Sequence, residues 1–297
     1  MLMNGILIID KPFGWTSHDV IAKLRGALRL KRIGHGGTLD PIATGVLPVF
    51  IGRATRAAEF CENAEKEYIA GLRLGLVTDT QDITGQTLSE CDVSLTAAEI
   101  EAIIPRFLGA QKQIPPMYSA IKHNGKKLYE LARKGVDVPR PARDIIISEI
   151  ELLGGSENEF KLRIVCSKGT YIRTLCHDVG NALGCGGIMS SLRRTRAGAF
   201  PLEMAKTLDE ILSAISGGEA EKLIMPVDSL FLKYPSAALC KEDASRIKNG
   251  ARCSAAGLTG NLSEGKYRFY GPDNEFLVLG EVIAGEIKVI KGFFEVC

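Results

Sequence analysis

The stretch that most restricts the fold is Gly34-His35-Gly36-Gly37-Thr38-Leu39-Asp40-Pro41-Ile42-Ala43-Thr44-Gly45. Its glycines let the backbone turn tightly and approach other atoms closely, which disfavours a regular helix or a central strand. Its one carboxylate, Asp40, directly precedes a proline, and proline drives the residue before it out of the helical region. Asp40 is therefore expected on an extended loop. The apolar run Val46-Leu47-Pro48-Val49-Phe50-Ile51 that follows reads as a buried strand. A carboxylate on a loop beside a rigid sheet is a common way to present a reactive group. The same residues allow a plainer reading, an aspartate whose side chain closes its own Asx-turn.

Upstream, Ile6-Leu7-Ile8-Ile9-Asp10 reads as another buried strand and Lys11-Pro12-Phe13-Gly14-Trp15 as a turn. Ser17 can cap a helix over 18–28, with Val20, Ile21, Leu24 and Leu28 at helical spacing. Residues 66–75 alternate like a strand that carries Tyr68, a position that on its own reads as core or interface. Thr78-Asp79-Thr80-Gln81-Asp82-Ile83-Thr84-Gly85 is an acidic, hydroxyl-rich loop. It resembles a calcium loop, but the glycine and the terminal glutamate are misplaced, so no metal is expected. Thr96 with Glu99 and Thr207 with Glu210 form capping boxes for two more helices. Strands are expected over 145–153 and 160–166, then a helix to about Leu183 that ends at Gly184. After Pro235 a helix over 238–248 precedes three strand-like runs at 266–270, 276–280 and 287–290.

The net charge of +2 says little, but its distribution says more. Residues 122–143 hold seven Lys/Arg against two acids, and residues 161–200 hold seven against Asp178 alone. Residues 144–160 hold five acids and no basic residue. Such blocks point either to a localised basic face or to ordinary solvated charge. Within the first block, 125–135 reads as a short basic helix between extended, proline-containing segments, an excursion suited to gripping phosphates. The eight cysteines lack paired metal spacing. No apolar run is long enough to span a bilayer, and the N-terminus lacks a basic region before an apolar stretch. Reduced thiols in a cytoplasm are the expectation.

Taken in order, these motifs resemble those of the TruB family of tRNA pseudouridine synthases, which isomerise the T-loop uridine at tRNA position 55. The resemblance runs from about Gly5 to Phe200, with a weaker C-terminal continuation. It rests on Asp10-Lys11-Pro12 through Val20, on the stretch from Gly34 to Gly45, and on Lys66-Glu67-Tyr68. It continues through the loop holding Asp82, Cys166-Ser167-Lys168-Gly169-Thr170-Tyr171-Ile172-Arg173-Thr174-Leu175, and Leu192-Arg193-Arg194 through Phe200. It implies an α+β fold: a mixed, largely antiparallel sheet with flanking helices over 1–230 and a small PUA-like β-barrel over 235–297. Residues 114–143 become an insertion that closes over RNA like a thumb, with Lys126 and Lys127 on phosphates.

The resemblance also implies roles. Asp40 becomes the catalytic carboxylate, Arg173 the partner that keeps it ionised and oriented, and Tyr68 the ring that stacks on an extruded base. Tyr171 packs beneath the base pocket, and His35 contacts RNA where the flipped base has left. Asp82 belongs to the substrate-side loop, and Arg193 and Arg194 meet the RNA backbone, where a solvated strand face would look similar. Lys11 holds the Asp40 loop, holds a phosphate, or stands in solvent at a strand end. The T-arm of tRNA is the implied partner, for a monomer that needs no cofactor. Two positions depart from the family pattern: Gly36, where threonine is common, and Ile188, where many relatives have histidine. Rival readings are a non-catalytic tRNA-binding or tRNA-folding protein on the same scaffold and a synthase with another RNA target.

Overall fold

The computed structural model describes residues 3–255, 258 and 262–294; Met1 and Leu2, which open the segment read for an export signal, and Cys297 lie outside them. The strands Gly5–Lys11 and Thr44–Ile51 pair antiparallel, from Gly5 opposite Ile51 to Lys11 opposite Gly45. Alternate residues point to opposite faces. Ile6, Ile8, Val46 and Phe50 enter one core, and Leu7, Ile9, Leu47, Val49 and Ile51 enter another. Both faces are covered, which is why these strands read as continuous apolar runs rather than as alternating ones.

Around this pair grows a ten-stranded sheet. Its main path runs Lys206–Thr207, Gly5–Lys11, Thr44–Ile51, Gly187–Ala197, Lys66–Leu74, Glu159–Cys166, Arg143–Ser156 and Gly109–Gln113. Two neighbouring pairs are parallel, Gly5–Lys11 with Lys206–Thr207 and Gly187–Ala197 with Thr44–Ile51. The others are antiparallel, so the sheet is mixed and largely antiparallel, as expected. The helices Ser17–Leu28 and Leu208–Ser216 bury Val20, Leu24, Leu208 and Ile211 against one part of it. The helices Ala97–Ile103 and Ile172–Ala182 bury Ile100, Leu175 and Val179 against another.

Both capping boxes are formed, Thr96 with Glu99 and Thr207 with Glu210. The first helix differs from expectation in its cap. Thr16, boxed with Asp19, caps it, and Ser17 is buried inside the first turn.

The strand Gly109–Gln113 pairs with the start of Arg143–Ser156, with Gln113 directly opposite Arg143. Residues 114–142 therefore leave and return at one point of the sheet. Within them the expected basic helix is shorter, Leu128–Ala132, because Lys122–His123 and Lys126–Lys127 form a hairpin first. Its turn is Asn124-Gly125, both at positive φ (48° and 82°), the conformation that a two-residue hairpin loop requires.

A second, five-stranded sheet closes the chain in the order Ser236–Ala238, Gly265–Tyr270, Phe276–Ile283, Glu286–Gly292 and Cys253–Ser254. Its helix is Lys241–Lys248, starting later than expected because 236–238 pairs as a strand with 268–270. This sheet shares an aromatic core with the first. The rings of Phe276 and Phe293 stack at 5.2 Å, and Phe231 touches both of them and Phe60. Among the described residues no helix is long and apolar enough to cross a membrane.

Candidate active site

The strand Ile33–His35 pairs with the far end of Thr44–Ile51, so the intervening residues form a loop that folds back along its own strand. Leu39, Ile42 and Ala43 are buried in the same core as Tyr68 and Ile172, which anchors the loop on both sides of Asp40. Ser17 Oγ accepts a hydrogen bond from Leu39 N at 2.9 Å and donates to Leu39 O at 3.2 Å. Gly14 N donates to Pro41 O at 2.9 Å. The turn itself is closed by the backbone, Ala43 N to Asp40 O at 3.0 Å, and the Asp40 carboxylate faces elsewhere, 38% exposed.

Its partner is Arg173, on the first turn of helix Ile172–Ala182, with Nε 3.0 Å from Asp40 Oδ2. The guanidinium is almost wholly buried. One terminal nitrogen, Nη1, donates to Thr80 O at 3.2 Å, and the other, Nη2, donates to Tyr118 O at 2.8 Å. Asp82 Oδ2 lies 3.8 Å from the same Nε. The arginine thus has its plane fixed by two backbone carbonyls before it meets the carboxylate. The parts played by Thr80, Tyr118 and Ser17 are invisible in the sequence, because main-chain carbonyls leave no trace there and a Thr-Ser pair does not say which hydroxyl caps the helix.

Asp82, expected on the substrate-side loop, has its side chain turned inward beside Arg173. It is buried, and its Oδ1 accepts from Thr80 Oγ1 at 2.8 Å and Thr84 N at 3.0 Å. Its carboxylate orders the loop that holds Arg173. Lys11 is 0% exposed, so it does not stand in solvent at a strand end. Its ammonium donates to Pro12 O at 2.9 Å, Trp15 O at 2.6 Å and Pro41 O at 3.4 Å, so it holds the loop. Burial pulls its pKa down to about 8, while the nearby Asp40 charge pushes the other way.

Arg194 corrects a further expectation. It is 1% exposed and cannot meet an RNA backbone. It stands opposite Tyr68 on the neighbouring strand, and its guanidinium donates to Val46 O at 2.7 Å, Gly37 O at 3.1 Å and Thr38 O at 3.5 Å, tying sheet to loop. Gly45 lets this happen. Its φ is +99°, and a Cβ there would lie 2.2 Å from Arg194 O. Arg193 is half-buried and paired with Asp10 at 2.6 Å.

Tyr68 is 9% exposed, and burial raises its hydroxyl pKa against the opposing effect of Arg194. Tyr171 is the N-cap residue of the Arg173 helix and is half-buried, and burial raises its pKa too. His35 is edge-on to His18, with ring centroids 5.5 Å apart. Burial, then His18 and Arg194, hold its pKa near 4, so its imidazole is neutral at pH 7. Its Nδ1 is buried without a hydrogen-bond partner.

Lys126 is exposed, and Lys127 stands with Arg133 over the Tyr129 ring at 5.4 and 5.3 Å. The two departures are both packed. A Cβ at Gly36 would lie 2.8 Å from Cys61 Cβ and from Phe50, and Ile188 is fully buried.

Known proteins resemble this chain in sequence and fold. The model of the TruB family pseudouridylate synthase N-terminal domain matches residues 25–172. That of the tRNA pseudouridylate synthase B C-terminal domain matches 173–232. A tRNA pseudouridine synthase B of Syntrophomonas wolfei is 44% identical, over 94% of this chain and 93% of that relative. One of Alkaliphilus oremlandii is 43% identical over 99% of each. Among solved structures, a chain from the crystal structure of a Cbf5–Nop10–Gar1 complex superposes with a TM-score of 0.75 at 28% identity, covering 98% of this chain and 85% of that one.

Proposed function

The chain belongs to the TruB family of pseudouridylate synthases and isomerises uridine to pseudouridine in tRNA, and we propose that Asp40 is the carboxylate that drives the reaction at the T-loop uridine, position 55. The reaction breaks the N1–C1′ bond, turns the base and joins C5 to C1′; the proton on C5 then leaves and N1 ends protonated, so product and substrate are isomers. Nothing is oxidised and no water is added. Ordinary glycosidases need two carboxylates, one of them to handle water. A single carboxylate that acts as nucleophile or as electrostatic stabiliser suffices here.

The observation that carries this reading is the Asp40–Arg173 ion pair, 3.0 Å across, on a loop anchored by Ser17, Lys11 and Arg194. A guanidinium already bound to two carbonyls holds the ionised Asp40 in place and does not have to reorganise during the reaction. Tyr68, buried in the same core as the Asp40 loop, is assigned as the ring on which an extruded uracil stacks. His35, neutral, supplies an imidazole with an unpartnered nitrogen rather than a cation.

The basic residues of the insertion, Lys126 and Lys127 among them, lie on the surface and are suited to phosphates. We further infer that residues 235–297 form a PUA-like RNA-binding module and that the enzyme acts as a monomer in the cytoplasm. Incubation with unmodified tRNA transcript, followed by position-resolved detection of pseudouridine, tests the target. Product at a single T-loop uridine is expected, and product elsewhere would assign another RNA target.

A further inference from the structure

Gln113 is the last residue of the edge strand Gly109–Gln113 and stands opposite Arg143, so it marks the root of the basic insertion on both sides. A glutamine next to a polar insertion would ordinarily face solvent, yet this one is only 5% exposed. Its side-chain amide grips one residue. Nε2 donates to Tyr171 O at 3.0 Å, and Oε1 accepts from Tyr171 N at 2.8 Å. The amide thereby mimics a neighbouring strand for a single residue and fixes both backbone groups of Tyr171.

Tyr171 is the N-cap of helix Ile172–Ala182, in extended conformation and with no side-chain cap of its own. Arg173 follows two residues later. Where the helix begins therefore depends on Gln113, and with it the direction in which Arg173 leaves the backbone. A second link runs the same way, because Arg173 Nη2 donates to Tyr118 O, inside the insertion. Two connections, one through Tyr171 and one direct, join the insertion to the guanidinium that faces Asp40.

We propose that Gln113 is a positioning residue for the isomerisation: its amide holds the Tyr171 backbone, aims Arg173 at Asp40, and ties that aim to the seat of the insertion. The inference rests on the reading of Asp40 and Arg173 as the reacting pair. Gln113 is buried with its amide on the Tyr171 backbone, so its loss should slow chemistry without weakening the grip on tRNA. Removing it also leaves the Tyr171 N–H without its partner, while Tyr171 O keeps the bond from Leu175 N at 3.1 Å, and the loss costs stability. Rate and stability must therefore be measured separately.

The test uses Gln113→Met, which keeps length and removes both hydrogen bonds, and Gln113→Glu, which is isosteric, keeps the acceptor for Tyr171 N and sets a carboxylate oxygen against Tyr171 O. Each is assayed on the full chain with saturating unmodified tRNA transcript in single turnover. Each is also titrated with tRNA for Kd, and rates are normalised to the folded fraction seen by circular dichroism. The expected result is a rate at least about tenfold lower, with Kd changed by less than about twofold. In an Arg173→Lys background, Gln113→Met should cost less than about twofold more, because both act through one guanidinium. If Gln113→Met does not fold, Gln113→Glu carries the same comparison. A normal rate per folded molecule, or losses that multiply with Arg173→Lys, would overturn the proposal. Were Asp40→Asn to retain turnover, the reading of the pair would fail instead. An inactive Asp40→Asn beside a normal Gln113→Met would reject the positioning role alone.

Discussion

Arg173 approaches Asp40 through Nε, at 3.0 Å, while its two terminal nitrogens donate to Thr80 O and Tyr118 O. The contact is not the bidentate fork that an arginine and a carboxylate often make. The fork instead grips the protein, and the carboxylate receives one edge of a plane that cannot rotate. An ammonium could supply the charge but not this division of labour.

Arg173→Lys should therefore lower turnover by about tenfold to a hundredfold while leaving tRNA affinity within a few-fold. Both carbonyls would lose a buried donor, so Tm should fall as well. Single-turnover rates and Kd on folded protein check this. A larger effect on Kd than on rate would place Arg173 in RNA binding instead.

Lys11 gives the enzyme a pH dependence whose sign can be worked out. Its folded pKa is near 8, below the ordinary lysine value of 10.5, because it is buried. Between those values the unfolded chain holds the extra proton, so the stability contributed by this group rises with pH across that window. The ammonium that donates to Pro41 O is nevertheless neutralised there. The single-turnover rate should fall as pH passes about 8 while Tm does not fall with it through this group. Rate and melting profiles from pH about 6.5 to 9.5 check this, and Lys11→Met should lack the rate limb.

The basic residues divide into two classes by burial. Replacing Lys126, Lys127, Arg133 and Lys134 with alanine should weaken tRNA binding and flatten its salt dependence, by roughly 0.7–0.9 in log–log slope for each phosphate no longer neutralised. Arg194→Met should leave that slope unchanged and lower Tm, because Arg194 serves Val46, Gly37 and Thr38 inside the protein. Titrations of tRNA binding at several salt concentrations, with melting curves for each variant, check both.

Gly36→Thr, which introduces the residue that the family resemblance leads one to expect, should destabilise this enzyme by about 1–3 kcal/mol through overpacking. Its Cβ would sit 2.8 Å from Cys61 Cβ and from Phe50. Thermal melting checks this, and an unchanged Tm would mean that Cys61 and Phe50 move aside freely.

Local features are legible in the sequence where local physics decides them. Pro41 puts Asp40 on a loop, apolar runs mark the strands, and Thr96-Glu99 and Thr207-Glu210 mark helix starts. The Asn124-Gly125 hairpin carries an equally local signal, but the basic charge of 122–143 masks it by suggesting a longer helix. The burial of Lys11, Asp82 and Arg194 escapes a sequence reading for another reason, although loop-holding was among the roles open to Lys11. Charge counting treats every ionisable side chain as solvated, whereas these three are buried on partners brought in by long-range pairing. The pairing of Asp40 with Arg173 comes from the family resemblance, since nothing in either segment alone indicates the other.

The most direct test of Asp40 as the driving carboxylate is single-turnover pseudouridine formation by Asp40→Asn on unmodified tRNA, read at position 55 alongside tRNA affinity. The substitution keeps size and removes charge. The expected result is no detectable product with Kd within about tenfold of the wild-type value, because phosphate contacts dominate affinity. Substantial turnover by the asparagine variant would contradict it.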